Sequence, residues 1–523
     1  LPGKGNKNSE KSKRSLPLRK VIGFFAGLAI FALMVFFPEP SGMSSAAKNI
    51  AAIALLMATW WMTEAIPIAA TALLPFVLFP ALKILPYKEV ALNYANHNIF
   101  LFMGGFFIAA AMQKWKLHRR IALHIIRFIG TKPARLILGF MVATAFISMW
   151  ISNTATTMMM LPIALAVILG LCSKEDSSDI SAFELGESNF AVALMLGIAY
   201  AASVGGTATL IGTPPNIIFA GMFKNLFPNS PEISFLQWIT FALPFAVFFI
   251  ILIWLYLTKF ALPLKQELSS KNANIIEEEI RKLGKMNKGE RLTLILFIIT
   301  AILWIFRVDI HFGSFKIPGW CSALGLENYV HDSTIAIAMS LIMFFIPINW
   351  RKNEFLLDWN WAVKIPWGIL ILFGGGFALA AGFVSTGLAP WIGDKLYVLG
   401  KFPPLVILLI LNLVLIFLTE VMSNTAVSTT FLPIIATCAL AIHIHPYLLM
   451  ISATLASSMA FMLPAATPPN AIVFGSGFLT IPKMAKVGLA INLIATLLLS
   501  LYFYFLFPHI LGIKIYALPF WAK

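Results

Sequence analysis

The chain has 523 residues, of which 59% are hydrophobic and only 11% charged, and its mean hydropathy is +0.87. A soluble protein of this size needs far more charge to cover its surface, and a disordered one has far less apolar content. Three cysteines exclude a disulfide scaffold, so the chain reads as a polytopic membrane protein, and its net charge of +16 is expected in basic loops on one side of the bilayer.

In chain order, a hydrophilic basic tail fills residues 1–20. Val21 to Phe37 is the first apolar run. Pro38-Glu39-Pro40 follows it in place of a small-residue cleavage site, which makes it an uncleaved span with a cytoplasmic N-terminus. A membrane helix needs about 20 apolar residues. Further spans are expected at 49–63, 65–82, 99–112, 190–222, 236–258, 292–306, 334–348, 365–386, 447–475 and 488–508, for eleven crossings. Lys114 to Arg127 mixes basic and apolar residues at helical spacing and is expected to lie in the headgroup plane. Residues 265–291 read as a solvated cytoplasmic helix or linker, and 313–325 as an external loop.

Two stretches, 136–171 and 405–440, are each 36 residues long, too long for one span and short for two. As re-entrant hairpins they sort the Lys and Arg cleanly, with 28 on the cytoplasmic side and 10 outside. An ordinary crossing at 136–171 would move the eight basic residues of 259–291 outside, against the positive-inside rule. This asymmetry accounts for the net charge without nucleic acid.

The two halves repeat. Phe102, Gly105 and Phe106 match Phe373, Gly376 and Phe377 at an offset of 271, as do Ser152-Asn153-Thr154-Ala155 and Ser423-Asn424-Thr425-Ala426. Beyond the loop at 172–189 the offset is 254, and Thr213-Pro214-Pro215-Asn216 matches Thr467-Pro468-Pro469-Asn470. The span at 99–112 and its partner at 365–386 run in opposite directions. Inverted repeats with interrupted helices are the signature of secondary transporters that bind substrate near the midplane. The fold class expected is therefore all-α, with eleven transmembrane helices plus two re-entrant hairpins in two inverted repeats.

Ser-Asn-Thr sits at the centre of each hairpin. Arms of about 16 residues reach ~24 Å, into the membrane but not across it. The tip must leave helix geometry, and hydroxyl and amide groups are then on hand for its backbone or for a ligand. A capped polar turn would explain one such tip, but two related by the repeat favour a binding site. The Pro-Pro pairs, with Gly205, Gly206 and Gly212, imply unwound segments inside 190–222 and 447–475. Unwinding frees carbonyls for a cation and creates helix N-termini that favour an anion.

Residues 136–171, 190–222 and 447–475 hold no Lys, Arg, Asp or Glu, and the second hairpin holds only Glu420. A dianion buried there needs compensation, because an unpaired buried charge is expensive. Co-bound hard cations on oxygen ligands would supply it. Glu420 either holds the hairpin or shapes a cation site, and Glu64 at its Thr-Glu-Ala-Ile-Pro turn reads as structural. The eight His are scattered without a metal-ligand spacing, and no nucleophile–base pair argues for an enzyme.

The stretches Met149–Thr157, Tyr200–Asn216, Thr419–Thr425 and Pro464–Val473 make the chain similar to the divalent-anion/sodium symporter family from Val21 to Phe507. The resemblance implies a homodimer moving by an elevator mechanism. Residues 21–98 and 236–364 would belong to the scaffold, with 99–235 and 365–523 in the transport domain. It implies at least two Na⁺ per protomer, one held by Ser148, Ser152, Asn153 and Gly212. The other would be held by Thr419, the Met422 carbonyl, Asn424 and Ala466. Substrate carboxylates would meet Ser152, Asn153, Thr154 and Thr213 from one half, and Ser423, Asn424, Thr425 and Thr467 from the other. The function expected is Na⁺-coupled carriage of C4-dicarboxylates (succinate, fumarate, malate) across a bacterial inner membrane, in contact with its lipid. A sodium-independent exchanger, a citrate or sulfate carrier, and an anion channel are the alternatives.

Overall fold

A computed structural model describes residues 18–172, 188–264, 271–312 and 315–522. The described residues are mostly helical. The first half runs α1 (Leu18–Phe36), α2 (Ser45–Thr63), α3 (Ile68–Ala81, broken at 72–73), α4 (Tyr87–Tyr94) and α5 (His97–Lys114). There follow α6 (Leu117–Ile129), α7 (Pro133–Ser148), α8 (Asn153–Cys172), α9 (Asn189–Gly206), α10 (Pro214–Leu226) and α11 (Phe235–Leu255). α12 (Lys271–Leu283), α13 (Lys288–Ile305) and α14 (Asp332–Phe345) lead to the second half. That half comprises α15 (Trp367–Ser385), α16 (Leu388–Leu396), α17 (Pro404–Thr419), α18 (Asn424–Ala441), α19 (Pro446–Ala456), α20 (Pro468–Phe474) and α21 (Ile481–Leu501).

Each of the eleven apolar stretches carries helix, but length alone does not count crossings. Among the described residues seven helices are long and apolar enough to span a bilayer, and an eighth if Leu388–Lys401 and Pro404–Thr419, bent by 119°, are one. One of the seven, Asn424–Ala441, is a hairpin arm. Conversely α14 has 14 residues and α19 only 11, because α14 gives way to a strand at Pro347 and α19 unwinds at Ser457. The loop expected at 313–325 carries more structure than a loop. Ile310–Phe312 pairs antiparallel with Phe315–Ile317, and a short helix follows at Trp320–Ala323.

Ends are fixed by local chemistry. Ser234 and Gln237 form a capping box on α11, and Asn287 and Glu290 form another on α13. Glu64 closes α2 in the left-handed conformation (φ 49°) and lies 3.8 Å from Lys20, a structural role.

The basic connections gather at one end of the bundle. Arg119 pairs with Glu279, Arg120 with Glu290 at 3.1 Å, and Lys114 with Asp358 at 2.7 Å. The hairpins enter from opposite ends. The base of the first, at Ala134, accepts a hydrogen bond from Trp254 at the far end of α11. Beside the base of the second, Tyr447 donates to Pro231, next to the near end of α11.

Candidate functional site

Both hairpins unwind for four residues at their tips, 149–152 and 420–423, and both broken helices unwind ahead of their Pro-Pro pairs, over 207–213 and 457–467. These four irregular segments converge on one cavity of ≈ 190 Å³. Its lining includes Ser152, Asn153, Thr154 and Thr213 from the first half, and Ser423, Asn424, Thr425 and Thr467 from the second. All eight residues expected to meet substrate are therefore brought together. Phe102, Phe106 and Ile369 close one side. Among the described residues no charged side chain lines the cavity.

What faces the cavity is helix N-termini. α8 and α18 begin at Asn153 and Asn424, and α10 and α20 begin just after Thr213 and Thr467. Thr213 and Thr467 adopt the same extended conformation (φ −143°, ψ 145° and φ −137°, ψ 150°). Unpaired N–H groups at such ends favour an anion. Their alignment on one cavity biases it toward an anion, although Ser152, Ser423 and Thr467 already cap three of the four ends.

Beneath the tips the two halves hold the backbone with the same contacts at the same offsets. Ser148 Oγ donates to Asn153 Oδ1 at 2.7 Å, and Thr419 Oγ1 to Asn424 Oδ1 at 2.8 Å. Asn216 Nδ2 donates to the carbonyls of Gly206 (3.3 Å) and Thr209 (2.6 Å). Asn470 Nδ2 donates to those of Ala460 (3.1 Å) and Leu463 (3.0 Å). Each asparagine bridges an unwound segment that has lost its helical hydrogen bonds, which is why a Pro-Pro-Asn triplet recurs there.

Three of the eight residues expected to hold cations sit just outside the cavity lining. Ser148 and Thr419 are fully buried and do not line it, and Met422 is buried behind the second tip. Gly212 and Ala466 do line it. A methyl group on Gly206 would collide with Asn153 Oδ1, and one on Gly212 with the Gly206 carbonyl. The first pocket is therefore a tight cradle of side-chain and main-chain oxygen, the donor set a hard cation prefers.

The halves differ at Glu420. Its Oε1 accepts from the backbone N–H of Phe461 (2.7 Å) and Met462 (2.8 Å) and from Asn492 Nδ2 (2.8 Å). Its Oε2 accepts from Leu463 N–H at 3.0 Å. Of the two roles open to it, Glu420 takes the structural one here, pinning the unwound segment to the hairpin. The equivalent position in the first half is Met149, whose carbonyl accepts from Thr209 Oγ1.

The cavity between the tips joins a second one of ≈ 360 Å³, sharing Phe106, Ser152, Thr154 and Ile369 and running past Gln113 to Trp361 and Lys364. That path leads to the end holding the basic connections. Lys364 Nζ stands 4.2 Å over the Trp361 ring. This residue went unnoticed in the sequence, where it is one basic residue among many.

Comparison with known proteins agrees with this geometry. The family profile described as the sodium:sulfate symporter transmembrane region matches residues 18–513. Sodium-dependent dicarboxylate transporters SdcS of Staphylococcus saprophyticus and Staphylococcus aureus are each 42% identical over 509 residues, 97% of this chain and 95% of theirs. Two solved transporters share the fold at 13% identity. They are MtrF of Neisseria gonorrhoeae (TM-score 0.54, 94% of this chain and 96% of that one) and YdaH of Alcanivorax borkumensis (0.55, 93% and 96%). The chain is an all-α integral membrane protein, and it belongs to the divalent-anion/sodium symporter family.

Proposed function

We propose that the protein is a sodium-coupled carrier of C4-dicarboxylates such as succinate, fumarate and malate. The observation that carries this reading is a cavity rimmed by four helix N-termini and eight hydroxyl or amide residues, with no charged side chain among its lining. A dianion there draws on helix dipoles worth at most about half a charge each, three of them already capped by Ser152, Ser423 and Thr467, and co-bound cations supply the compensation that capped ends do not. The Ser148–Asn153–Gly212 cradle would hold one Na⁺, with Ser152 at its edge. Thr419, the Met422 carbonyl, Asn424 and Ala466 would hold another. The SdcS relatives, sodium-dependent dicarboxylate transporters by name, support the same pairing of ion and substrate.

Alternating access would follow the elevator scheme in a homodimer, with eleven crossings and two re-entrant hairpins arranged as inverted repeats. The opposed entry of the hairpins and the paired hydrogen bonds support that arrangement. The packing of α5 on α14 supports moving α5 from the transport part, where the 99–235 boundary put it, to the scaffold. With the basic connections cytoplasmic, the N-terminus lies inside a bacterial plasma membrane and the site opens inward through the Lys364 vestibule. Ions shift such an equilibrium only by binding one state better. Here they would do so by ordering the hairpin tips.

Asn153→Ala and Asn424→Ala test the assignment. Each removes an oxygen shared by the cation cradle and the substrate cavity. Each should abolish Na⁺-driven succinate uptake into proteoliposomes while the protein still elutes as a folded species. Normal uptake by both variants would refute the site.

A further inference from the structure

We infer that His97, Glu232 and His331 form a binding site for a divalent transition metal, with Zn²⁺ its best occupant, at the end of the bundle opposite the basic connections. His97 Nε2 lies 3.6 Å from Glu232 Oε1, and His331 Nε2 lies 3.4 Å from Glu232 Oε2. The imidazole rings stand 4.5 Å apart at 77°, and one donor atom from each of the three residues falls within 4.8 Å of the other two. Ligands about 2.1 Å from a tetrahedral Zn²⁺ are roughly 3.4 Å from one another. Both histidine–glutamate edges are near that spacing, each to a different carboxylate oxygen, so a small turn of Glu232 brings one oxygen to both imidazoles. The side chains are 21–40% exposed, so the third can close and water can take the fourth position.

The surroundings suit a neutral imidazole donor. Burial, and then the neighbouring His97, hold His331 below the ordinary imidazole range. Its Nδ1 lies 3.0 Å from Ser333 Oγ, which would accept the Nδ1 proton once Nε2 carries metal. That exchange gives up the Ser333 N–H cap now made to Nδ1. His97 Nε2 now accepts only the Asn98 side-chain amide, at 3.2 Å. Lys224 lines the small cavity that His97, Glu232 and His331 share, but its ammonium is turned to the Ser230 carbonyl at 2.7 Å. Arg307 is neutralised by Asp332. Imidazole nitrogen selects Zn²⁺ over Mg²⁺ and Ca²⁺.

The three ligands come from separate places. His97 opens α5, His331 caps α14, and Glu232 lies in the connection from α10 to α11. α10 begins with the Pro214 that lines the substrate cavity. A bound metal would tie that connection to the α5–α14 pair, and Zn²⁺ would slow any transport cycle that separates them. This consequence rests on the transport reading above, whereas binding does not.

The test uses full-length protein purified without a histidine tag. Zn²⁺ affinity and stoichiometry are read by competition with a chromogenic chelator. One Zn²⁺ per chain is expected, with affinity falling about tenfold or more in His97→Asn, His331→Asn and Glu232→Gln and unchanged in His124→Asn. Succinate uptake by the wild type should be inhibited by Zn²⁺ added on the cluster's side, and uptake by His97→Asn/His331→Asn should not. Wild-type Zn²⁺ binding by that double variant would overturn the site. Binding without any effect on measurable uptake would overturn the clamp. Absence of uptake in every protein would count against the transport reading and leave the binding result standing.

Discussion

Replacing Glu420 by Gln probes how the second unwound segment is held. The carboxylate accepts four hydrogen bonds, three from the backbone N–H groups of Phe461, Met462 and Leu463 and one from Asn492. A glutamine with its oxygen at the Oε1 position keeps neutral bonds to three of those donors and sets its NH₂ against the Leu463 N–H. One buried donor is left unpaired. With one charged hydrogen bond of roughly 1.5–3 kcal/mol lost and those to Phe461 and Met462 weakened from charged to neutral, the segment loses about 3 kcal/mol or more of ordering. That segment carries Ala466, one of the residues proposed for the second cation. If Na⁺ must then supply the ordering, the half-saturating Na⁺ concentration should rise about a hundredfold or more, at 1.4 kcal/mol per decade. Na⁺ titration of succinate uptake measures this, with thermal unfolding in detergent run in parallel. Asn492→Leu removes one donor and should have a much smaller effect. An unchanged Na⁺ dependence and unchanged unfolding of Glu420→Gln would refute the reasoning.

Gly206→Ala should displace the Asn153 side chain and raise the Na⁺ requirement at least tenfold while the second cation position is untouched, as a Na⁺ titration of uptake would register. Lys364→Ala should weaken substrate entry from the vestibule, raising the half-saturating succinate concentration several-fold at low salt and less at high salt. His445 caps α19 and is buried, which pushes its imidazole down to about 4. Its contribution to stability is full above pH ~6.5, where the unfolded chain is also neutral, and is lost as pH falls through about 4. His445→Asn replaces the capping Nδ1 with an amide oxygen and should flatten the acid limb of thermal stability between those values.

The hairpins and broken helices were legible because polar tetrapeptides in an apolar chain have no other use, and because each occurs twice at a fixed offset. The eight cavity residues followed from the same pattern and the family resemblance. α16 was missed, although Leu117, the first residue of α6, shifted by 271 falls on Leu388, where α16 begins. Its amphipathic face is short and weakly charged, so composition did not mark it as it marked Lys114–Arg127. The two roles open to Glu420 could not be separated along the chain, since three of its donors lie about 40 residues away and Asn492 farther still. The scattered histidines concealed a cluster for the same reason. His97 and His331 are 234 positions apart and meet only because α5 packs along α14.

Coupling is tested most directly by labelled succinate uptake into proteoliposomes, with external Na⁺ or choline and with the lumen empty or loaded with succinate. The cation-compensated cavity requires uptake into empty vesicles with Na⁺ and none with choline. Uptake that depends on internal succinate and ignores Na⁺ would contradict it, and would leave the charge of a bound dianion to be balanced by something other than sodium.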